Sequence, residues 1–283
     1  GARTGDGFRG KRPNIGEQIS QFLKKHKRAD PEALYVVCGG GNDFLGGTFL
    51  YTIENLERHI TTLIDAGARH IIVTNFPPLG YAPVFTHEIP ILLEESIIET
   101  LDEQIEKYLE FKMGKVLSGM CKGLFPSLKS SLPQIKEYLP YIIEALSKRV
   151  ANYMEDDPLT ADEIVHLAFT SANSISKLYN DYLRRVLDDI ERTHPVTIYR
   201  LNVHDVITSI SAKPARYGFK ETYSPALNPK THLLDEGVDP NHHIFFDGIH
   251  PTGSTHAIVA KKAHELLRHA AGTMPHNQDE ERP

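Results

Sequence analysis

The chain has 283 residues, a net charge of −6, 40% hydrophobic and 24% charged residues, and two cysteines. The composition is that of a globular protein with length for one large or two ordinary domains, and it has no basic footprint for nucleic acid. Two cysteines are too few for a disulfide framework, so free thiols at Cys38 and Cys121 are expected ahead of a single bridge between them, and no apolar run approaches the ~20 residues needed to cross a bilayer.

Residues 1–13 are rich in Gly, Arg and Lys and read as a loop with no signal segment. Ile15, Ile19, Phe22 and Leu23 recur at helical spacing, predicting an amphipathic helix over about 14–27. Lys24, Lys25, Lys27 and Arg28 fall at its C-terminal end, where cations suit the helix dipole. Leu34–Cys38 is a short apolar run bounded by Pro31 and Gly39, and predicts a buried parallel strand. Ile53, Leu56, Ile60, Leu63 and Ile64 mark a helix over about 52–66, with Gly67 placed as its left-handed C′ residue. His70–Asn75 is the next strand, completing a βαβ crossover, and Phe76-Pro77-Pro78-Leu79-Gly80 ends it in a rigid turn.

From about 91 the pattern changes to helical pieces interrupted by Pro126, Pro133 and Pro140, predicting an all-helical insertion over roughly 91–165. Thr160 with Glu163 forms a capping box for one helix, and a longer one is expected over about 173–191. Val196–Leu201 is the third strand. Residues 211–240 carry four prolines and read as an irregular loop, and a last helix is expected over about 253–270 ahead of a frayed tail from Met274. The architecture is α/β, with parallel strands, intervening helices and no internal repeat. In such sheets ligands bind at the carboxyl ends of the strands.

Two stretches carry chemistry. The first is His242-His243-Ile244-Phe245-Phe246-Asp247-Gly248-Ile249-His250-Pro251-Thr252. Ile244–Phe246 reads as a short buried strand, or its end, feeding Asp247 and His250, with Gly248 allowing a tight turn and Pro251 placed where a helix could begin. A carboxylate three residues before an imidazole can hold one ring nitrogen and leave the other free as a base. His242, His243, Asp247, His250 and His256 also admit a metal-site reading, although the spacing matches no strong ligand motif.

The second stretch is Gly39-Gly40-Gly41-Asn42-Asp43, directly after the first strand. A dinucleotide fingerprint fails at Phe44. A phosphate loop over Gly41, Gly46, Gly47 and Thr48 lacks its lysine. Glycines after a strand also serve simply as turn formers. The third reading is that Asn42 offers a fixed amide donor to a developing oxyanion.

Together, Gly-Gly-Asn-Asp after a buried strand and Asp-Gly-Ile-His-Pro-Thr near the C-terminus resemble the SGNH hydrolase superfamily, and within it the GDSL lipase/esterase family. Asn75–Gly80, Tyr179–Leu183 and Tyr217–Phe219 fit the same pattern. The resemblance implies a three-layer α/β/α flavodoxin-like fold, one domain over 1–283, and a Ser-His-Asp ester hydrolase acting on lipid or small acyl esters. It implies Asp247 as orienting acid, His250 as general base, and Asn42 and the backbone N–H of Gly1 as oxyanion donors. It implies no cofactor or metal, admits peripheral lipid contact, and favours secretion.

The chain departs from the family at the nucleophile. No Gly-Asp-Ser block occurs; Gly5-Asp6-Gly7 has no serine, Ser254 falls at a helix start and Ser20 on an amphipathic helix. The expectation is that the serine and its strand lie upstream of Gly1, leaving a strand edge open here. The alternative is a non-catalytic protein of the same fold that binds an ester or glycan. In the esterase reading the insertion packs as an extra helical layer, or else forms a lid or an acyl-binding wall.

Overall fold

The computed structural model describes residues 3–5, 13–45, 52–84, 86 and 161–273. The predicted insertion up to residue 160, Gly1, Gly46–Thr48, Cys121 and the tail from Met274 lie outside these residues.

The described elements run in chain order as α1 (Ile15–His26), β1 (Leu34–Val37), α2 (Gly41–Leu45), α3 (Thr52–Asp65), β2 (His70–Thr74), α4 (Ala161–Thr193), β3 (Thr197–Leu201), α5 (Val203–Ala212) and α6 (Gly253–Thr273). The three strands form a parallel sheet in the order β1-β2-β3, with Val37 opposite Val73 and Ile71 opposite Ile198. Each is a short run rich in apolar and β-branched residues; β2 is buried through its centre, whereas in β1 only Val37 is buried, so the first strand is not the fully buried one that its composition leads one to expect. Val37, Ile71, Val73 and Ile198 share one buried cluster with Ile19 of α1, Leu56 and Ile60 of α3, and Leu183 and Leu187 of α4. A second, smaller cluster joins Ile207 and Ile210 of α5 to Phe219, Ile244 and Phe245, and α6 packs beside β3 and α5.

Local signals fix the element ends. Asn14 and Glu17 form a reciprocal capping box at the start of α1. At the end of α3 the Gly67 N–H donates to Ile64 O (3.0 Å) and the Ala68 N–H to Leu63 O (2.9 Å), with Gly67 at φ 122°. This is the Schellman pattern, and the expected role of Gly67 is what it does.

Three expectations change. The helices expected from Thr160 and over 173–191 are one 33-residue helix, α4, so the expected end of the insertion at 165 falls inside it. The reason lies in α4's inner face. Asn173, Ser176 and Asn180 recur near helical spacing and hydrogen-bond the backbone leaving β2. Asn173 Oδ1 accepts from Gly80 N–H (3.0 Å), Ser176 Oγ from Leu79 N–H (3.1 Å) and Asn180 Oδ1 from Phe76 N–H (2.7 Å), while Asn180 Nδ2 donates to Phe76 O (2.9 Å). Pro77 and Pro78 have no N–H, so every backbone donor from Phe76 to Gly80 is held by a side chain of α4.

The second change is α5, a helix not anticipated from sequence. Its Val203, Val206, Ile207 and Ile210 are β-branched and suit a strand equally well. Asn202 decides the matter, its side chain accepting from Asp205 N–H (3.0 Å) as an N-cap.

The third is Ile244–Phe246, which is not a strand. Its backbone is divided between two loops: Ile244 N–H donates to Glu221 O and Phe246 N–H to His250 O, while Phe245 O and Phe246 O accept from Ala226 and Leu227. Ile244 and Phe245 are buried and Phe246 is 38% exposed.

β1 pairs on its β2 side alone among the described residues. Val36 is 64% exposed and Leu34 42%. Cys38, just beyond, is an exposed free thiol.

Candidate active site

The Asp247–His250 turn is built from its ends inward. Phe245 and Pro251 form an isolated bridge, closed by Phe246 N–H to His250 O (2.7 Å). Pro251 is thereby part of this bridge rather than the first residue of a helix. Behind it Thr252 and Thr255, both buried, pin the turn to Ile244: Thr252 N–H and Thr255 Oγ1 donate to Ile244 O at 2.9 and 2.7 Å. Thr252 also opens α6, its Oγ1 accepting from Thr255 N–H (3.3 Å). On the other side Val84 N–H donates to Gly248 O (2.9 Å), so the polypeptide leaving β2 holds the turn. Gly248 does not take a positive φ. The bend is closed instead by the Asp247 carboxylate.

That carboxylate organises everything within reach. Asp247 Oδ1 accepts from the backbone N–H of Ile249 (2.9 Å) and of His250 (2.7 Å). Its Oδ2 lies 2.8 Å from His250 Nδ1, and Oδ1 lies 3.0 Å from the same nitrogen. Partial burial pushes the Asp247 carboxyl up, but the two backbone N–H groups and the His250 ring outweigh it and hold the group below its ordinary range. An ionised carboxylate accepts only, so Nδ1 carries the proton and Nε2 is the basic nitrogen. The His250 side chain is 64% exposed.

Asn42 stands in α2, immediately beyond the C-terminal end of β1, and is half-buried. Gly40 precedes it at φ 116°, a conformation that strains any other residue, and a Cβ there would meet the side chains of Thr52, Phe76 and Tyr179. Burial pushes the Tyr179 phenol far up, with the Asp43 and Cys38 charges adding to it, so Tyr179 is a neutral hydroxyl beside this loop. The partner proposed for Asn42, Gly1, lies outside the described residues.

Asp43 escaped the sequence reading. It is 1% exposed, and its carboxylate takes both the N–H and the hydroxyl of Thr4. No spacing rule signals a bond between residues so far apart. The polar face of α4 was legible in principle, since Asn173, Ser176 and Asn180 already stand near helical spacing.

The five residues of the metal reading do not gather. Among the described residues no group of three or more His, Cys, Asp or Glu side chains is placed to hold a metal ion. His243 Nδ1 faces Ser224 O (3.2 Å), His242 pairs with Asp239 (3.7 Å), and His256 is exposed on α6. Ser254 hydrogen-bonds Asn241 (3.0 Å) and Ser20 is exposed on α1. Among the described residues no serine hydroxyl hydrogen-bonds His250.

The described residues thus combine a parallel sheet with helices, an Asp-oriented histidine and an Asn-bearing loop beyond a strand end. The profile of the GDSL-like Lipase/Acylhydrolase family matches residues 1–263, and the chain belongs to that family, within the SGNH hydrolase superfamily. Lipase 1 of Photorhabdus luminescens is 24% identical over 277 residues, covering 90% of this chain and 39% of that protein. A GDSL esterase/lipase of Arabidopsis thaliana is 26% identical over 101 residues, 32% of this chain and 28% of the relative. A Pseudomonas putida protein from the trpE-trpG intergenic region, described as uncharacterized, is 37% identical over 84 residues, 26% of this chain and 14% of its own length. The chain thus spans well under half of each of these relatives.

Proposed function

We propose that the chain is part of a serine ester hydrolase acting on lipid or small acyl esters, folded as one domain over residues 1–283 with its helical insertion. Lysophospholipids belong to the same substrate chemistry, and acyl transfer to a second alcohol is the competing outcome. The observation that carries this reading is the Asp247–His250 pair, with Nδ1 held by both carboxylate oxygens at 2.8 and 3.0 Å and the imidazole 64% exposed. The nucleophile is a serine upstream of Gly1, on a strand that would pair with the edge of β1 left without a partner among the described residues.

In the mechanism the serine Oγ attacks the ester carbonyl carbon as His250 Nε2 takes its proton. Asp247 holds Nδ1–H throughout and stabilises the imidazolium that forms. The carbonyl oxygen becomes an oxyanion, which the Asn42 amide and the Gly1 N–H receive. Collapse expels the alcohol, protonated by His250, and water repeats the sequence on the acyl-enzyme. An amide donor at the oxyanion contributes about 3 kcal/mol of transition-state stabilisation.

The test uses the full-length protein and a fluorophosphonate probe. The probe labels the wild type, and His250→Ala abolishes labelling. Asn42→Ala lowers kcat roughly 10²- to 10³-fold. Labelling that survives His250→Ala removes His250 from the triad. The second reading, a binding protein without catalysis, is favoured by the lack of a Gly-Asp-Ser block in this chain. A Gly-Asp-Ser block upstream of Gly1 rules it out.

A further inference from the structure

Asp43 is a carboxylate almost wholly removed from water, and a buried charge is costly unless closely paired. Its hydrogen bonds go to one residue 39 positions away. The Thr4 N–H donates to Oδ2 (2.9 Å) and more weakly to Oδ1 (3.2 Å), and Thr4 Oγ1 donates to Oδ1 (2.8 Å). Thr4 itself is fully buried. Its carbonyl lies 2.6 Å from His59 Nε2 of α3, which must donate to a carbonyl, and its Oγ1 accepts from Asn55 Nδ2 (3.4 Å). The preceding carbonyl, of Arg3, accepts the Ile15 N–H at the start of α1 (2.9 Å). Residues 3–5 are therefore gripped from α1, α2 and α3 at once. They also lie against the end of β1: a Cβ on Gly39 would strike Ile15 and stand 3.2 Å from Thr4 Cγ2.

Asp43 is the neighbour of Asn42 in the chain. We propose that Asp43 is a positioning residue that ties the Asn42-bearing helix to the Arg3–Gly5 segment, and through it to α1 and α3, so that the Asn42 amide is held in place as an oxyanion donor. This rests on the esterase reading above and deepens it. An anchor that served folding alone needs no connection to the donor loop. A connection at this point sets the geometry of a site, where displacement by about 1 Å can cost ~10²-fold in rate.

The experiment compares Asp43→Ala, Thr4→Val and Thr4→Ser with wild type in the full-length protein, using p-nitrophenyl ester hydrolysis and thermal unfolding. Thr4→Val keeps the side-chain shape but deletes the hydroxyl, so it stands in where Asp43→Ala fails to fold. Folded Thr4→Val lowers kcat about 10- to 100-fold with KM within about threefold, and Thr4→Ser, which restores the hydroxyl, returns kcat to near the wild-type value. A Thr4→Val protein that is less heat-stable yet has unchanged kcat shows a purely structural anchor and overturns the inference alone. A full-length wild type that neither hydrolyses the ester nor takes the fluorophosphonate overturns the esterase reading and this inference together.

Discussion

Asp247 accepts bonds from two backbone N–H groups and one imidazole through two oxygens, and this is what depresses its pKa. A folded-state pKa below the unfolded one means that the folded chain resists protonation. The stability that Asp247 contributes is complete above its unfolded value, about pH 4, and is lost as pH falls through the folded value. Asp247→Asn accordingly gives a shallower loss of stability below about pH 4 than wild type, read by urea unfolding at a series of pH values. Superimposable acid profiles for the two proteins contradict this. The pair was legible in sequence because both partners lie within one turn. The bond from Asp43 to Thr4 was not, because its partners meet only when α1, α2 and α3 have packed. Gly1 remains an assignment by resemblance.

Among the elements, the ends were readable wherever a cap writes itself locally. Asn14 with Glu17 and Gly67 behind α3 are examples. Gly67 offers the sharper test. Its φ of 122° suits no other residue, and a Cβ would come within 2.7 Å of Ala29 O. Gly67→Ala destabilises the protein by about 1–3 kcal/mol, measured by chemical denaturation. A change of under half of one kcal/mol would mean that the helix end relaxes freely. The elements missed were those decided by tertiary partners. Val203–Ala212 has the β-branched content of a strand and becomes a helix through the Asn202 cap and burial of Ile207 and Ile210. Ile244–Phe246 has the content of a strand, and instead its backbone serves two neighbouring loops.

At the scale of the molecule, all three described strands were legible, since short apolar runs between turn signals leave few alternatives. Their order and register follow from parallel pairing that no local pattern encodes. The core divides unequally. The larger cluster holds β1, β2, α1, α3 and α4, while the Asp247–His250 turn belongs to the smaller one around Ile207, Ile210 and Ile244. The Phe76–Gly80 segment joins the two, because it leaves the sheet at β2 and runs on to Val84 and its bond to Gly248. Its amide protons at Phe76, Leu79 and Gly80 are held by side chains of α4. Loop amides ordinarily exchange with solvent quickly. These three exchange only when α4 lifts away, at the slow rate of the buried helix face, and in concert with one another. Deuterium uptake at Phe76, Leu79 and Gly80 that outruns the α4 backbone would show that the loop opens on its own. If instead the two move together, the timescale of the Asp247–His250 turn is set by Asn173, Ser176 and Asn180, more than sixty residues earlier in the chain.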